Sequence, residues 1–201
     1  MSDAKPRVGI IGTGGTISTP GRNCLDLFEY SDYSRTLEVD ELLAIVPELT
    51  TSFDILPVRF RAIISPAMTT QDWLDLQRKI TEVAACNPEV RGVVVTHGTS
   101  TMEETAYFLH LTLKIDIPVV LVGAQRPPNG LSSDAPLNLL NAARVASSAH
   151  ARRLGVLVMM NDEVHSAREV TKISNFRLNA FQSPELGILG YAEPDGTVCS
   201  P

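Results

Sequence analysis

The chain has 201 residues, of which 44% are hydrophobic and 20% are charged, and its formal net charge is -6. This is the composition of a globular protein, and the length fits one domain or one domain with a small appendage. The acidic balance argues against a nucleic-acid-binding protein, and no window approaches the ~18 apolar residues of a membrane-spanning helix.

Five short runs rich in Val, Ile and Leu predict β-strands along the chain. These runs cover residues 7–11, 53–60, 92–96, 118–123 and 155–160. The last three are unbroken apolar runs, which are typical of strands buried on both faces of a parallel sheet. Pro57 has no backbone N–H to donate to a neighbouring strand, so the second run is expected at or near a sheet edge.

Helical patterns separate the predicted strands. They cover residues 39–46, 69–85, 101–114 and 134–147. Thr101 followed by Glu104 predicts a capping box at the start of the third helix, and Asp134 is expected to cap the fourth. Strands that alternate with helices across short joins predict right-handed crossovers. The expected fold is therefore a doubly wound, mainly parallel α/β sheet with helices on both faces.

Polar side chains follow each predicted strand, where a doubly wound sheet binds its ligands. They are mostly hydroxyls and amides, with one lysine. In chain order they are Thr13, Thr16, Ser18, Ser65, Thr99, Ser100, Gln125, Arg126, Asn161, Asp162 and Lys172. These residues predict a polar rim with few fixed negative charges.

The stretch "GTGGT" (12–16) departs from a dinucleotide-binding fingerprint, because Ile17 stands where the third glycine would be. The plainest interpretation is a tight glycine turn that passes close to the sheet. A sharper one is that the turn exposes Thr16 and backbone N–H groups to a substrate, where those groups could stabilise an oxyanion.

The stretch "THGTSTMEET" (96–105) places several hydroxyls at one strand-to-helix turn. If Thr101 caps the helix, Thr99 and Ser100 are left to face the cleft. His97 could suggest a Ser/His pair, but no aspartate is clearly placed to orient it, and a structural histidine is the preferred interpretation.

Lys172 has two interpretations that the sequence leaves open. It is either a solvated surface lysine or a lysine buried among hydroxyls, whose lowered pKa would let it take a proton from Thr or Ser. No His/Cys/Asp/Glu cluster has metal-ligand spacing, so no metal site is expected. Cys24, Cys86 and Cys199 are widely spaced, which favours reduced thiols in a cytoplasmic protein.

Taken together, these stretches resemble the bacterial L-asparaginase/glutaminase family over nearly the whole chain. "IGTGGTIS" and "VVVTHGTSTMEETAYFLHLTL" resemble the family's two threonine motifs, and "PVVLVGAQRP…SSDAPLNLLNAARVA" and "GVLVMMNDEVHSAREVTK" follow in order. The resemblance implies hydrolysis of the side-chain amide of L-asparagine or a related amide to an acid and ammonia, with a threonine nucleophile and without a metal or cofactor.

The resemblance also implies residue roles. Thr16 corresponds to the primary nucleophile. Tyr30 corresponds to the tyrosine that assists this nucleophile, and Tyr33 is the alternative. Thr99 corresponds to the second threonine, and Lys172 to the lysine that activates it. Ser65 corresponds to the residue that binds the substrate's α-carboxylate. The remaining residues expected to line the substrate pocket are Gly15, Pro66, Gly98, Ser100 and Gln125.

Two positions depart from the family pattern. Ser100 stands where the family usually has an aspartate that pairs with the lysine and receives the substrate's α-ammonium, and Pro66 replaces a glutamine. Loss of a charged hydrogen bond costs about 1.5–3 kcal/mol, roughly ten- to a hundredfold in binding or rate. We therefore expect weak activity on free asparagine, and a Lys172 that titrates lower than it would beside an aspartate.

Chain length is the other departure. Residues 1–190 are expected to form the family's N-terminal α/β domain and residues 191–201 the start of an interdomain linker or a tail, with the C-terminal domain missing. In the family that domain completes the active site across a subunit interface. The resemblance therefore implies a homo-oligomer, a dimer or a tetramer, with no nucleic-acid or membrane partner.

Two other function classes remain open at this stage. The chain could be a non-catalytic module or incomplete fragment that binds a small carboxylate or amide. It could also be a nucleotide-binding domain, which predicts stabilisation by NAD or ATP and little by amino acids.

Overall fold

A computed structural model describes residues 4–33 and 35–199, without the side chains of Asp32 and Tyr33. Tyr33, the alternative to Tyr30, therefore has no described side chain, and the last two residues of the predicted tail also lie outside the description. The helices are α1 Tyr30–Tyr33, α2 Val39–Ile45, α3 Glu48–Ser52, α4 Thr70–Cys86, α5 Met102–Thr112 and α6 Ala135–Ser147.

The strands follow the predicted runs closely and add several short ones near the C-terminus. They are β1 Arg7–Gly12, β2 Asp54–Arg59, β3 Val90–Thr96, β4 Val119–Val122, β5 Val156–Met160, β6 Glu163–Ser166, β7 Thr171–Lys172, β8 Phe181–Gln182, β9 Gly190–Ala192 and β10 Val198–Cys199. The five predicted strands and four predicted helices are therefore all present, with ends that shift by a few residues.

One sheet in the described chain holds eight strands, in the order β10-β9-β6-β5-β4-β3-β1-β2. The five predicted strands pair in parallel with one another, whereas β6, β9 and β10 join antiparallel. Strand β2, which contains Pro57, lies at one edge as predicted. Strands β7 and β8 form a separate two-stranded antiparallel sheet.

Helices cover both faces of the sheet, which confirms the predicted doubly wound fold. On one face α2, α3 and α6 bury side chains such as Leu42, Leu49 and Leu139 against the strands. On the other face α4 and α5 bury Leu76 and Leu109. The central strands are fully buried because they are covered on both sides, which explains their unbroken apolar sequences.

Both predicted helix caps are wrong. Thr101 and Asp134 occupy the N-cap positions, but neither side chain caps its helix. Asp134 has helical dihedral angles, and its carboxylate accepts the backbone N–H groups of Gln125 and Arg126. Its side chain therefore stabilises the loop after β4.

The segment after residue 190 differs from the expected linker or tail. Strand β9 pairs with β6, and β10 pairs with β9, so residues 190–199 extend the main sheet. This pairing could not be predicted from the sequence, because two- and three-residue strands are too short to show a hydrophobic period.

Candidate active site

The candidate site lies where the order of strands reverses. The chain runs from β1 outward to β2 and then returns to the other side of β1 to form β3. Thr16 follows β1 and Thr99 follows β3, and these strands are parallel neighbours with Gly12 paired to Thr96. The two threonine loops therefore leave the same edge of the sheet side by side, at the usual ligand-binding position of such sheets.

Two glycines let these loops touch. Gly15 has a φ of 89°, and a Cβ atom added to it would lie 2.4 Å from the Cα of Gly98. A Cβ atom added to Gly98 would lie 2.4 Å from the Cβ of Ser65. Any side chain at either position would separate the loops, so the glycines allow the close approach of Thr16, Ser65 and Thr99.

Thr16 opens a short 3-10 turn after β1, and its hydroxyl is hydrogen-bonded to Tyr30. The two oxygen atoms are 2.6 Å apart, and either can donate. The backbone N–H of Thr16 has no acceptor among the residues that the structure describes. A reacting carbonyl placed beside the Thr16 hydroxyl would therefore find both a candidate nucleophile and a free N–H donor.

Thr99 meets Lys172 across the cleft. The Lys172 Nζ atom lies 2.7 Å from the Thr99 hydroxyl oxygen, and Thr99 is only 8% exposed. Burial lowers the pKa of Lys172, while the nearby Glu103 carboxylate acts in the opposite direction. The sequence left two interpretations of Lys172 open. The structure agrees with the second one, in which the lysine is partly buried beside a hydroxyl group.

Ser65 is held by neighbouring backbone. Its hydroxyl donates to the carbonyl of Gly98 at 3.0 Å and accepts the backbone N–H of Thr101 at 2.9 Å. The Thr101 hydroxyl donates in turn to the carbonyl of Ser65 at 2.9 Å, which explains why it does not cap α5. Ser65 therefore lines the cleft while its hydroxyl proton is already engaged within the protein.

His97 is buried and forms one end of a hydrogen-bonded chain. The Trp73 indole N–H donates to the Thr105 hydroxyl at 2.8 Å, and that hydroxyl lies 3.0 Å from His97 Nε2. Because the Gly98 carbonyl only accepts, Nδ1 carries the ring proton and donates to it at 2.7 Å, and the Nε2 atom of the neutral ring accepts the Thr105 hydroxyl proton. Burial lowers the pKa of His97 to about 4. The histidine is therefore a neutral structural residue.

Two adjoining cavities of about 240 and 330 Å³ surround these groups. Both are lined by Thr16, Tyr30, Thr99 and Ser100. The first also contacts Gly15, Thr19, Ser31, Thr36, Ile63, Ile64, Ser65, Pro66 and Gly98, and the second Leu27, Phe28, Gln125, Lys172, Asn175 and Phe176. Among these described lining residues Lys172 is the one charged side chain, so the cleft offers no fixed carboxylate.

All the residues that the sequence analysis assigned to catalysis and substrate binding line this cleft, apart from the undescribed Tyr33 side chain. The buried side-chain nitrogen of Gln125 has no hydrogen-bond partner among the described residues.

Two features of the cleft and its surroundings were not predicted from the sequence. One is the aromatic pair of Phe28 and Phe176, with ring centroids 5.9 Å apart, which are too distant in sequence to suggest contact. The other is Glu103, whose position in the first turn of the helix after Thr99 was the available indication.

Comparison with known proteins agrees with this geometry. Residues 7–199 match the protein family described as "Asparaginase, N-terminal". The chain belongs to this asparaginase family. The match runs through β10, so the last two strands are also part of the family's N-terminal domain.

The asparaginase relatives are similar over almost all of this chain. A "Glutaminase-asparaginase" from Acinetobacter glutaminasificans is 42% identical over 92% of this chain and 55% of its own length. A "Probable L-asparaginase periplasmic" from Haemophilus influenzae is 45% identical over 92% of this chain and 52% of its own. The chain thus spans about half the length of these curated relatives.

A solved asparaginase structure has the same fold. The crystal structure of a "Probable Cytoplasmic L-asparaginase" from Campylobacter jejuni superposes with a TM-score of 0.90 and 42% sequence identity, covering 98% of this chain and 58% of that one. None of the helices in the described part of this asparaginase-family chain is long and apolar enough to cross a membrane. The described residues also contain no group of three or more His, Cys, Asp or Glu side chains that could hold a metal ion.

Proposed function

We propose that this chain hydrolyses a side-chain carboxamide to a carboxylic acid and ammonia through a threonine nucleophile. The observation that carries the proposal is that one cleft holds two threonine hydroxyls, each with its own partner. The partner of Thr16 is Tyr30 at 2.6 Å, and that of Thr99 is Lys172 at 2.7 Å. The names of the family relatives support the same reaction class.

In the proposed first step, the Thr16 hydroxyl oxygen attacks the amide carbon while Tyr30 takes the hydroxyl proton and passes its own phenolic proton on to the amide nitrogen. The backbone N–H of Thr16 stabilises the negative charge that forms on the amide oxygen. The carbon–nitrogen bond then breaks, and ammonia leaves an acyl group on Thr16.

In the proposed second step, water attacks the acyl group and regenerates Thr16. The neutral amine of Lys172 takes a proton from Thr99, and Thr99 takes one from the attacking water. When the bond between the acyl carbon and the Thr16 oxygen breaks, the proton held by Lys172 is returned to the Thr16 oxygen. A lowered pKa enlarges the fraction of neutral Lys172 near neutral pH, which favours this proton transfer. Gln125, with a free amide N–H, is proposed to bind a substrate oxygen.

We further propose that free asparagine is a weak substrate. Ser100 and Pro66 line the cleft with neutral side chains, and no described carboxylate lines it to receive an α-ammonium. Transfer of an ammonium group from water to such a site is costly. An amide without that group, such as succinamate, avoids this cost.

The experiment is a comparison of ammonia release from L-asparagine, L-glutamine and succinamate by the folded, assembled protein. We expect release from at least one amide and a kcat/KM for succinamate about tenfold or more above that for asparagine. A folded sample that releases ammonia from none of the three would contradict the enzymatic proposal. Binding of succinamate without turnover would instead favour the non-catalytic module.

We also propose a homo-oligomer that works in the cytoplasm. Cys24, Cys86 and Cys199 are free thiols, which suits a reducing compartment. The relatives differ on location, since one name says cytoplasmic and another periplasmic. Analytical ultracentrifugation and fractionation of the source cells test the two proposals, and a monomer or a secreted protein would overturn them.

A further inference from the structure

Glu103 lies in the first turn of α5 and binds the segment that carries Lys172. Its Oε2 atom accepts a hydrogen bond from the backbone N–H of Lys172. The Lys172 side chain leaves the same residue and reaches Thr99. Glu103 therefore connects the lysine to the helix that begins directly after the Thr99 loop.

The lysine segment has few other connections. Strand β7 has two residues, and it pairs with the equally short β8 outside the main sheet. Such a small ribbon has little stability of its own. Its position relative to Thr99 therefore depends on anchors such as the buried Phe181, opposite Lys172, and the Glu103 bond.

The charges near Lys172 also indicate a role for Glu103. Ser100, which lines the same cavity as Lys172, is neutral. Tyr30 from α1 also lines this cavity. Among the described titratable groups, Glu103 from α5 is the one whose charge acts on Lys172. A carboxylate beside an amine in a half-buried site stabilises the ammonium form.

We propose that Glu103 is a positioning residue for Lys172, which fixes the amine against Thr99 and supplies the negative charge that Ser100 lacks. The proposal rests on the proposed function, because it assigns Lys172 the role of base. Glu103 does not touch the substrate cavity, so its contribution acts through the lysine.

The first test is direct titration of Lys172 by NMR of its ε-carbon, which needs no turnover. The chain has four lysines, and Lys172→Met assigns the signal. In Glu103→Gln the midpoint should fall by on the order of one pH unit, because the carboxylate no longer stabilises the ammonium. Glu103→Asp, which keeps the charge, should stay close to the original value. The matched control is Glu104→Gln, an exposed neighbour that should leave the midpoint unchanged.

The second test is the pH dependence of amide hydrolysis. Glu103→Gln should move the acidic limb of kcat to lower pH, since the lysine becomes neutral earlier. Glu103→Ala, which also loses the hydrogen bond, should lower the plateau kcat about tenfold below that of Glu103→Gln, with little change in KM.

The outcomes separate the two proposals. An unchanged Lys172 midpoint in Glu103→Gln overturns the charge role, and equal plateaus for the Gln and Ala variants overturn the tether. If the original chain releases no ammonia, the proposed function fails, while the NMR titration still decides whether Glu103 sets the charge state of Lys172.

Discussion

The amine of Lys172 lies 2.7 Å from the hydroxyl of Thr99, although 73 residues separate them in sequence. The contact joins a two-residue strand outside the main sheet to the loop after β3. It brings a candidate base to a candidate acid in the same cleft as Thr16. This relationship is the basis of the first prediction.

Lys172→Met should lower kcat for amide hydrolysis by about 10²–10⁴-fold, because it removes the proposed base but keeps an unbranched side chain of similar length. The melting temperature should change little, since the lysine is half-buried and binds a single hydroxyl. The matched control is Lys114→Met, an exposed lysine at the end of α5. Equal loss of activity in both variants would remove Lys172 from the mechanism.

Tyr30→Phe should lower kcat by about ten- to a hundredfold, because the 2.6 Å bond to Thr16 is lost while the ring remains. Tyr107→Phe, on an exposed tyrosine of α5, should have no effect. Steady-state kinetics on the best amide of the panel provide the measurement. Full activity in Tyr30→Phe would contradict the role of Tyr30 and favour Tyr33 as the tyrosine that assists Thr16.

Ser100→Asp should raise kcat/KM for L-asparagine by about tenfold or more, because it gives the α-ammonium a carboxylate partner. The added charge should also raise the pKa of Lys172 and move the acidic limb of the activity to higher pH. Ser100→Asn is a neutral control of matching size and should show neither change. No gain over Ser100→Asn would mean that this part of the pocket receives a different group.

His97 should be found as the neutral tautomer with its proton on Nδ1, because Nδ1 lies 2.7 Å from the Gly98 carbonyl, which only accepts. Nitrogen-15 NMR of the ring measures this directly. Thr105→Val keeps the side-chain shape but breaks the chain of bonds, and should lower kcat about tenfold through movement of the Gly98 carbonyl and the Thr99 loop. Trp73→Phe, which removes only the first donor, should have a smaller effect. A proton found on Nε2 would contradict the assignment.

The same histidine should make stability depend on acidity. The pKa of His97 is about 4 in the folded protein, against about 6.5 in an unfolded chain. The unfolded state therefore binds an extra proton between these values, and the free energy of unfolding should fall by up to about 3 kcal/mol as the pH drops from about 6.5 to about 4.

Urea denaturation across that pH range measures this effect. His97→Gln should reduce the pH dependence even if it also lowers stability at neutral pH. The remaining dependence is expected to include His165, whose pKa burial also lowers to about 4. His150→Gln, on an exposed histidine, should retain the full dependence. If the free energy of unfolding of His97→Gln depends on pH as strongly as that of the original chain, other groups cause the acid sensitivity.

Hydrophobic patterns predicted the fold well because they report burial, which the sheet imposes on every central strand. The runs at β3, β4 and β5 are mostly apolar, and each is covered on both faces. Predictions of helix caps from single polar residues were less reliable. Thr101 and Asp134 stand at helix starts, yet their side chains bind Ser65 and the loop after β4, because these distant partners compete successfully for the same oxygen atoms.

By itself the sequence determined the doubly wound architecture and the family, since strand periods and ordered motifs are local properties of the chain. It also indicated that hydroxyls gather at the carboxyl ends of β1 and β3. Only the tertiary structure decided that Lys172 meets Thr99, that Glu103 binds the lysine backbone, and that β9 and β10 complete the sheet. These contacts join residues far apart in the chain or strands too short to show a pattern, so their formation depends on the packed fold.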